Sequence, residues 1–216
     1  MTKKKSEIKV AVVISDGIVL VDTFGPVDVL LHANRYNDSR YKIYTVAHTT
    51  GPVLCENNFV SLKPDFSIHN CEDPDVIIIP GIAVIPGEKP KIVPPEIIEW
   101  IKVKGHEGKT LMSVCVGAFT LAATGLLDGR QATTHYLSIK EFEGKFKHVQ
   151  VIRNVRYVVD GKFITTGGVT SGIDGALYLV AANDNDIVAQ QTADCLIYNR
   201  DAPLPPYTLL PPYNTI

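Results

Sequence analysis

The sequence predicts an α/β fold with a mostly parallel central sheet, helices on both faces and an added β-hairpin. Three observations carry that expectation. Short β-branched apolar runs alternate with longer stretches of helical periodicity, the pattern of repeating strand–helix units. Runs such as Ile8–Ile14 and Asp75–Pro80 are apolar almost throughout, as strands covered on both faces must be. Gly-Pro and Pro-Gly pairs punctuate the joins, at Gly25-Pro26 and Pro80-Gly81.

In chain order, Ile8–Ile14 is the first strand. Gly25-Pro26 opens a helix, with proline at its first position and Val27, Leu30 and Leu31 on one face. Tyr41–Ala47 reads as the second strand, and Val53–Leu62 as a hairpin excursion around Glu56-Asn57-Asn58. The buried run Asp75–Pro80 ends at Pro80-Gly81. A helix from Pro94-Pro95-Glu96 turns Ile97, Ile98 and Ile101 inward. The segment after Lys109 is a strand running directly into a small-residue helix, closed by Gly125. A short strand at Gln131–Thr134 leads to His135 and a charged helix near Ser138–Lys145. Val149–Val159 and Lys162–Thr166 form a hairpin around Asp160-Gly161, a favoured two-residue turn. The last helix spans Ser171 to Ala182, with Ser171 and Asp174 spaced as a capping box. From Asp201 the chain carries five prolines and reads as extended. One domain over residues 1–216 is expected, with its body at about 8–200 and a Pro-rich tail at 201–216.

Composition narrows the function. Apolar residues at 45% and charged residues at 20% are ordinary for a globular protein. A formal net charge of −2 argues against a nucleic-acid partner, which needs a basic face. No apolar stretch reaches the length of a membrane span, and the apolar run after Lys3-Lys4-Lys5 is too short for a signal peptide. A cytoplasmic location follows, with no membrane partner. Cys55, Cys71, Cys115 and Cys195 show neither CxxC spacing nor paired histidines, so neither a metal site nor a disulfide framework is expected.

Cys115 is the residue most suggestive of chemistry. In Ser113-Val-Cys115-Val116-Gly117 it sits where strand turns abruptly into helix, a corner that holds one side chain at the sheet's edge. There the positive end of the helix dipole is expected to ease ionisation of the thiol, and the thiolate is the nucleophile. Gly117 suits a tight turn. Ligands in open α/β sheets bind beyond the carboxyl ends of the strands, which gives weight to the loops there. One contains Asp22, set among apolar neighbours. It is either a helix N-terminal acid favoured by the dipole or, if buried, a carboxyl of raised pKa able to donate a proton. A Cys–Asp pair works best with that carboxyl protonated, since a neighbouring carboxylate disfavours a thiolate. Backbone N–H groups of Gly81, Ile82 and Val116 are candidates for an oxyanion hole. His135, Gly168 and Thr170 are candidate pocket-lining residues. The glycine-rich Thr166–Gly172 lacks the lysine of a phosphate-binding loop, so no nucleotide cofactor is expected.

These motifs together resemble the DJ-1/PfpI superfamily. The matching segments are Val21-Asp22-Thr-Phe-Gly-Pro-Val-Asp-Val-Leu30, Ile79-Pro80-Gly81, Ser113–Gly117, Ala123–His135 and Thr166–Asp174. Within it they look most similar to the isocyanide hydratase branch and to the amidotransferase-like domains of AraC-type regulators. The resemblance implies a flavodoxin-like sandwich, a homodimer, a small-molecule substrate or ligand and no cofactor. It also implies Cys115 as nucleophile, Asp22 as its acidic partner, and Gly81 with Ile82 as the first oxyanion turn. Val116 stands where the hydratase has a threonine, and Pro80-Gly81-Ile82 replaces Pro-Gly-Gly. No helix-turn-helix segment is expected in these residues. Two functions follow: a cysteine-dependent hydratase or amide-type hydrolase of a small carbon–nitrogen substrate, or a non-catalytic ligand-binding or redox-sensing domain.

Overall fold

The computed structural model describes residues 6–84 and 91–200. The Pro-rich tail and part of the loop leading to Pro94 lie outside the described residues.

Seven strands form the main sheet: β1 (Ile8–Val13), β2 (Tyr41–Ala47), β5 (Phe66–Ser67), β6 (Val76–Ile79), β7 (Thr110–Val114), β10 (Tyr157–Asp160) and β11 (Phe163–Thr166). Their spatial order is β10-β11-β7-β6-β1-β2-β5, parallel throughout except for the antiparallel β10–β11 pair. This is the expected mostly parallel α/β sheet. Side chains alternate across it. Val10, Val12, Ile78, Met112, Val114 and Ile164 pack on one face against α1 (Leu20–Ala33), α5 (Ser171–Asn183) and α6 (Asp186–Cys195). Ala11, Val13, Ile77, Ile79, Leu111 and Phe163 pack on the other, against α2 (Pro95–His106), α3 (Gly117–Ala123) and α4 (Ile139–Lys145). Two small ladders stand outside the sheet: the hairpin β3 (Val53–Leu54) with β4 (Ser61–Leu62), and β8 (Gln131–Ala132) beside β9 (Gln150–Val151).

Three expectations need correction, and one helix was not expected at all. The first helix begins at Leu20, so Pro26 lies inside it, not at its start. An early start is possible because Glu56 Oε1 accepts the Leu20 N–H at 3.1 Å, satisfying an end group from outside the helix. The expected long strand Val149–Val159 is broken into β9 and β10, and Asn154 between them adopts φ 57°, which a continuous strand does not allow. Ser171 and Asp174 form no capping box. Thr170 is the N-cap, without a side-chain bond, and Asp174 is buried against Arg156 Nη1 at 3.1 Å. Finally, α6 was not anticipated. Asn185 caps it by accepting the Val188 N–H at 2.9 Å.

No described helix is long and apolar enough to cross a membrane.

Candidate active site at the strand–helix elbow

β7 lies between β6 and β11, so its carboxyl end opens at the middle of the sheet edge. Cys115 follows it with φ 55°, a left-handed conformation that costs a non-glycine residue of order 1 kcal/mol. The strain is held from several sides. The Cys115 N–H donates to Thr166 O at 3.1 Å, and Thr134 Oγ1 donates to Cys115 O at 3.0 Å. The Val116 N–H is directed at the sulfur. Gly117 is required for a reason other than the expected tight turn. A Cβ there would lie 2.1 Å from Ile79 O, so α3 can start against the end of β6 only without one. Ser113, where a symmetric elbow would carry a second glycine, is fully buried on β7 and needs no close approach.

Asp22 belongs to the first turn of α1, not to the preceding loop, and is fully buried. Its Oδ2 accepts the Gly81 N–H at 3.1 Å. Gly81 approaches so closely that a Cβ would fall 2.6 Å from that oxygen and 2.9 Å from Val116 Cγ2. Turn 81–83 is itself stitched to the loop before α1, through Val19 N to Gly81 O at 3.0 Å and Ala83 N to Gly17 O at 2.8 Å. α1, the β6 turn and the elbow therefore meet at one carboxyl.

The Asp22 carboxyl and the Cys115 thiol are neighbours, and each alters the other's proton affinity. Burial raises the Asp22 pKa to about 7, against the lowering effects of the Gly81 N–H and of Cys115. Asp22 Oδ1 holds no well-formed hydrogen bond among the described residues. Burial first, and the Asp22 charge second, push the Cys115 thiol up to about 12, although the Val116 N–H acts in the opposite direction. Easy ionisation at a helix N-terminus is thus not what this environment provides. Cys115 is only 6% exposed, and desolvation outweighs a helix of barely two turns. The environment instead sets a carboxyl that holds or releases a proton near neutrality beside a thiol that keeps its own.

Among the candidate oxyanion donors, the Gly81 N–H is committed to Asp22, and the Val116 N–H faces the sulfur. The Ile82 N–H takes no part in the two bonds that tie the turn to the loop. His135 is half-buried, which lowers its pKa, and its ring lies against Tyr136. Gly168 faces His135, where a Cβ would lie 3.8 Å from its Cδ2, whereas Thr170 is exposed. None of these three lines the cleft of about 310 Å³ bordered by Ile82, Val116, Phe119 and Ile98. Sequence reasoning missed two contributors, Thr134 and Glu56. The Thr133-Thr134-His135 segment drew attention to its histidine, yet the hydroxyl before it holds the elbow carbonyl. No group of three or more His, Cys, Asp or Glu among the described residues is arranged to hold a metal, and the four cysteines are all free.

The DJ-1/PfpI family profile matches residues 8–182. The chain belongs to the DJ-1/PfpI family. It is 31% identical over 188 residues to the isonitrile hydratase of Pseudomonas putida, covering 87% of this chain and 75% of that one. To the HTH-type transcriptional regulator CdhR of Pseudomonas aeruginosa it is 29% identical over 188 residues, covering 87% of this chain. The chain spans only about half of that regulator, 54% of its length. A ThiJ/PfpI family protein from Pseudomonas syringae superposes with a TM-score of 0.76 at 25% identity, over 95% of this chain and 79% of the other. DJ-1/PfpI membership accounts for the sandwich, and the relatives named here include both an enzyme and a regulator.

Proposed function

We propose that this DJ-1/PfpI protein is a cysteine-dependent hydratase or amide-type hydrolase of a small carbon–nitrogen electrophile, with Cys115 as nucleophile and Asp22 as proton carrier. The reading is carried by a fully buried carboxyl, its pKa raised to about 7 by desolvation, set beside the thiol of a strained elbow cysteine. A thiol pushed up to about 12 is unreactive alone, but a neighbouring carboxylate can take its proton as sulfur attacks. With a nitrile, the sulfur–carbon bond forms, one π pair moves to nitrogen, and the proton held by Asp22 passes to that nitrogen, giving a thioimidate. Water adds to the same carbon. Cleavage of the carbon–sulfur bond then returns an electron pair and a proton to Cys115 and releases an amide. The N–H groups of Ile82 and Val116 are the donors best placed for the developing charge.

A second reading, a ligand-binding or redox-sensing domain, draws support from the burial of Cys115 and from the similarity to a transcriptional regulator. Either reading includes a homodimer in the cytoplasm. The exposed stripe of Val21, Phe24 and Leu31 along α1 is the face a second copy would cover.

The test is hydration of a panel of small nitriles and isonitriles, followed by product mass. Turnover by the wild type and its loss in Cys115→Ala is the expected result. Full turnover by Cys115→Ala would refute the assignment. Selective oxidation of Cys115 by dilute peroxide in a protein that turns over nothing would favour sensing.

A further inference from the structure

The hairpin β3–β4 is placed against the loop before α1 by more than packing. Gly17 N donates to Leu54 O at 2.7 Å, Glu56 N to Ile18 O at 3.0 Å, and Leu54 N to Asp16 Oδ1 at 2.8 Å. At its tip, Asn57 and Asn58 take φ of 52° and 54°, which turns the chain so that the Glu56 side chain reaches the start of α1. Val19, the residue that caps α1, offers no side-chain bond of its own, and Glu56 Oε1 takes the Leu20 N–H at 3.1 Å instead. Asp22 is two residues further on.

We propose that Glu56 is a positioning residue for the Asp22 carboxyl, fixing the first turn of α1 by a cap supplied from the hairpin and placing a negative charge beside that carboxyl. The inference rests on the Asp22–Cys115 reading above, and it extends the site to the hairpin. The titratable groups facing Asp22 are Cys115 from the elbow and Glu56 from the hairpin, with the Gly81 N–H as the third polar neighbour. Lys91 runs past Gly17 but directs its ammonium to Asn58 Oδ1 at 3.2 Å. Glu56 favours the protonated form of Asp22, in the same direction as burial. Burial does most of the work of holding the acid near neutrality, and the Glu56 charge adds to it against the two groups that lower it.

Cap and charge are separable. Glu56→Gln keeps an oxygen for Leu20 N–H and loses the charge; Glu56→Asp keeps the charge and withdraws it from the helix end. The readout is the midpoint of the Asp22 carboxyl, followed by carbon-13 NMR, with thermal melting alongside. In Glu56→Gln the midpoint should fall by a few tenths of a pH unit while melting stays near wild type. In Glu56→Asp the melting temperature should fall, and the midpoint should stay above that of the Gln variant. A wild-type midpoint in Glu56→Gln overturns the proposal. Should that variant not fold, an Asp22 midpoint in Glu56→Asp indistinguishable from that in Glu56→Ala overturns it instead. Because no substrate is used, a failure here is distinct from a failure of the hydratase reading, which is read by turnover.

Discussion

Asp22 Oδ2 accepts the Gly81 N–H at 3.1 Å, and this bond ties the first helix to the turn that follows β6. The approach leaves no room for a side chain. In Gly81→Ala the new Cβ would meet Oδ2 at 2.6 Å and Val116 Cγ2 at 2.9 Å, so the carboxyl and the elbow must both give way. Urea denaturation should show a loss of about 1–3 kcal/mol, and the reactivity of Cys115 should change with it.

Asp22→Asn tests the electrostatics of burial. The native carboxyl, with its pKa raised from 3.8 to about 7, binds a proton that the unfolded chain has already released across that interval. Wild-type stability should therefore fall as pH rises from about 4 to about 7, and this contribution should level off above. The Asn variant lacks that slope. Relative to wild type it should be more stable at pH 8 than at pH 4, by a few kcal/mol at most, as read by melts across the range.

Gly117 faces backbone, which yields less easily than a side chain. A Cβ 2.1 Å from Ile79 O can be accommodated only by moving α3 or the end of β6. Gly117→Ala should cost about 3 kcal/mol or more in denaturant unfolding, and it should displace Cys115 even in the molecules that remain folded.

Asp174 is 5% exposed and pairs with Arg156 Nη1, which also donates to the Tyr198 hydroxyl at 3.0 Å. Arg156→Met removes the paired cation and leaves Tyr198 as the remaining side-chain neighbour of the carboxylate. At pH 8 it should lower stability by about 2 kcal/mol, discounted for the partial exposure of the arginine. Burial already raises the Asp174 pKa, so the deficit should shrink as pH falls and the carboxyl, without its cation, takes up a proton. Melting curves of both proteins at pH 5 and pH 8 check this.

The parallel sheet was legible because β1 and β6 are near-continuous β-branched apolar runs, the pattern expected of strands covered on both faces. The elbow was legible from Cys115 and Gly117, although the glycine's reason, contact with Ile79 O, belongs to a strand distant in sequence. Helix ends were harder to read. Glu56 supplies the cap of α1 from 36 residues away, and no local signal marks Leu20 as a start. α6 did carry a signal, Asn185 before Asp186, within a run of Asn and Asp that resembles a loop. The proton affinity of Cys115 could not be read at all: strand-into-helix context suggests a lowered value, whereas burial and Asp22, visible only in three dimensions, set the opposite direction.

The most direct measurement is the rate of Cys115 alkylation by iodoacetamide between pH 5 and pH 10, with the label localised by mass, in wild type and Asp22→Asn. If the carboxylate takes the thiol proton, the wild-type rate rises with a midpoint near 7 and then levels off, well below the pH at which the thiol ionises unaided. That step is absent in Asp22→Asn, whose rate climbs only toward the alkaline end. Superimposable profiles, or no label on Cys115 at any pH, would contradict the shared proton.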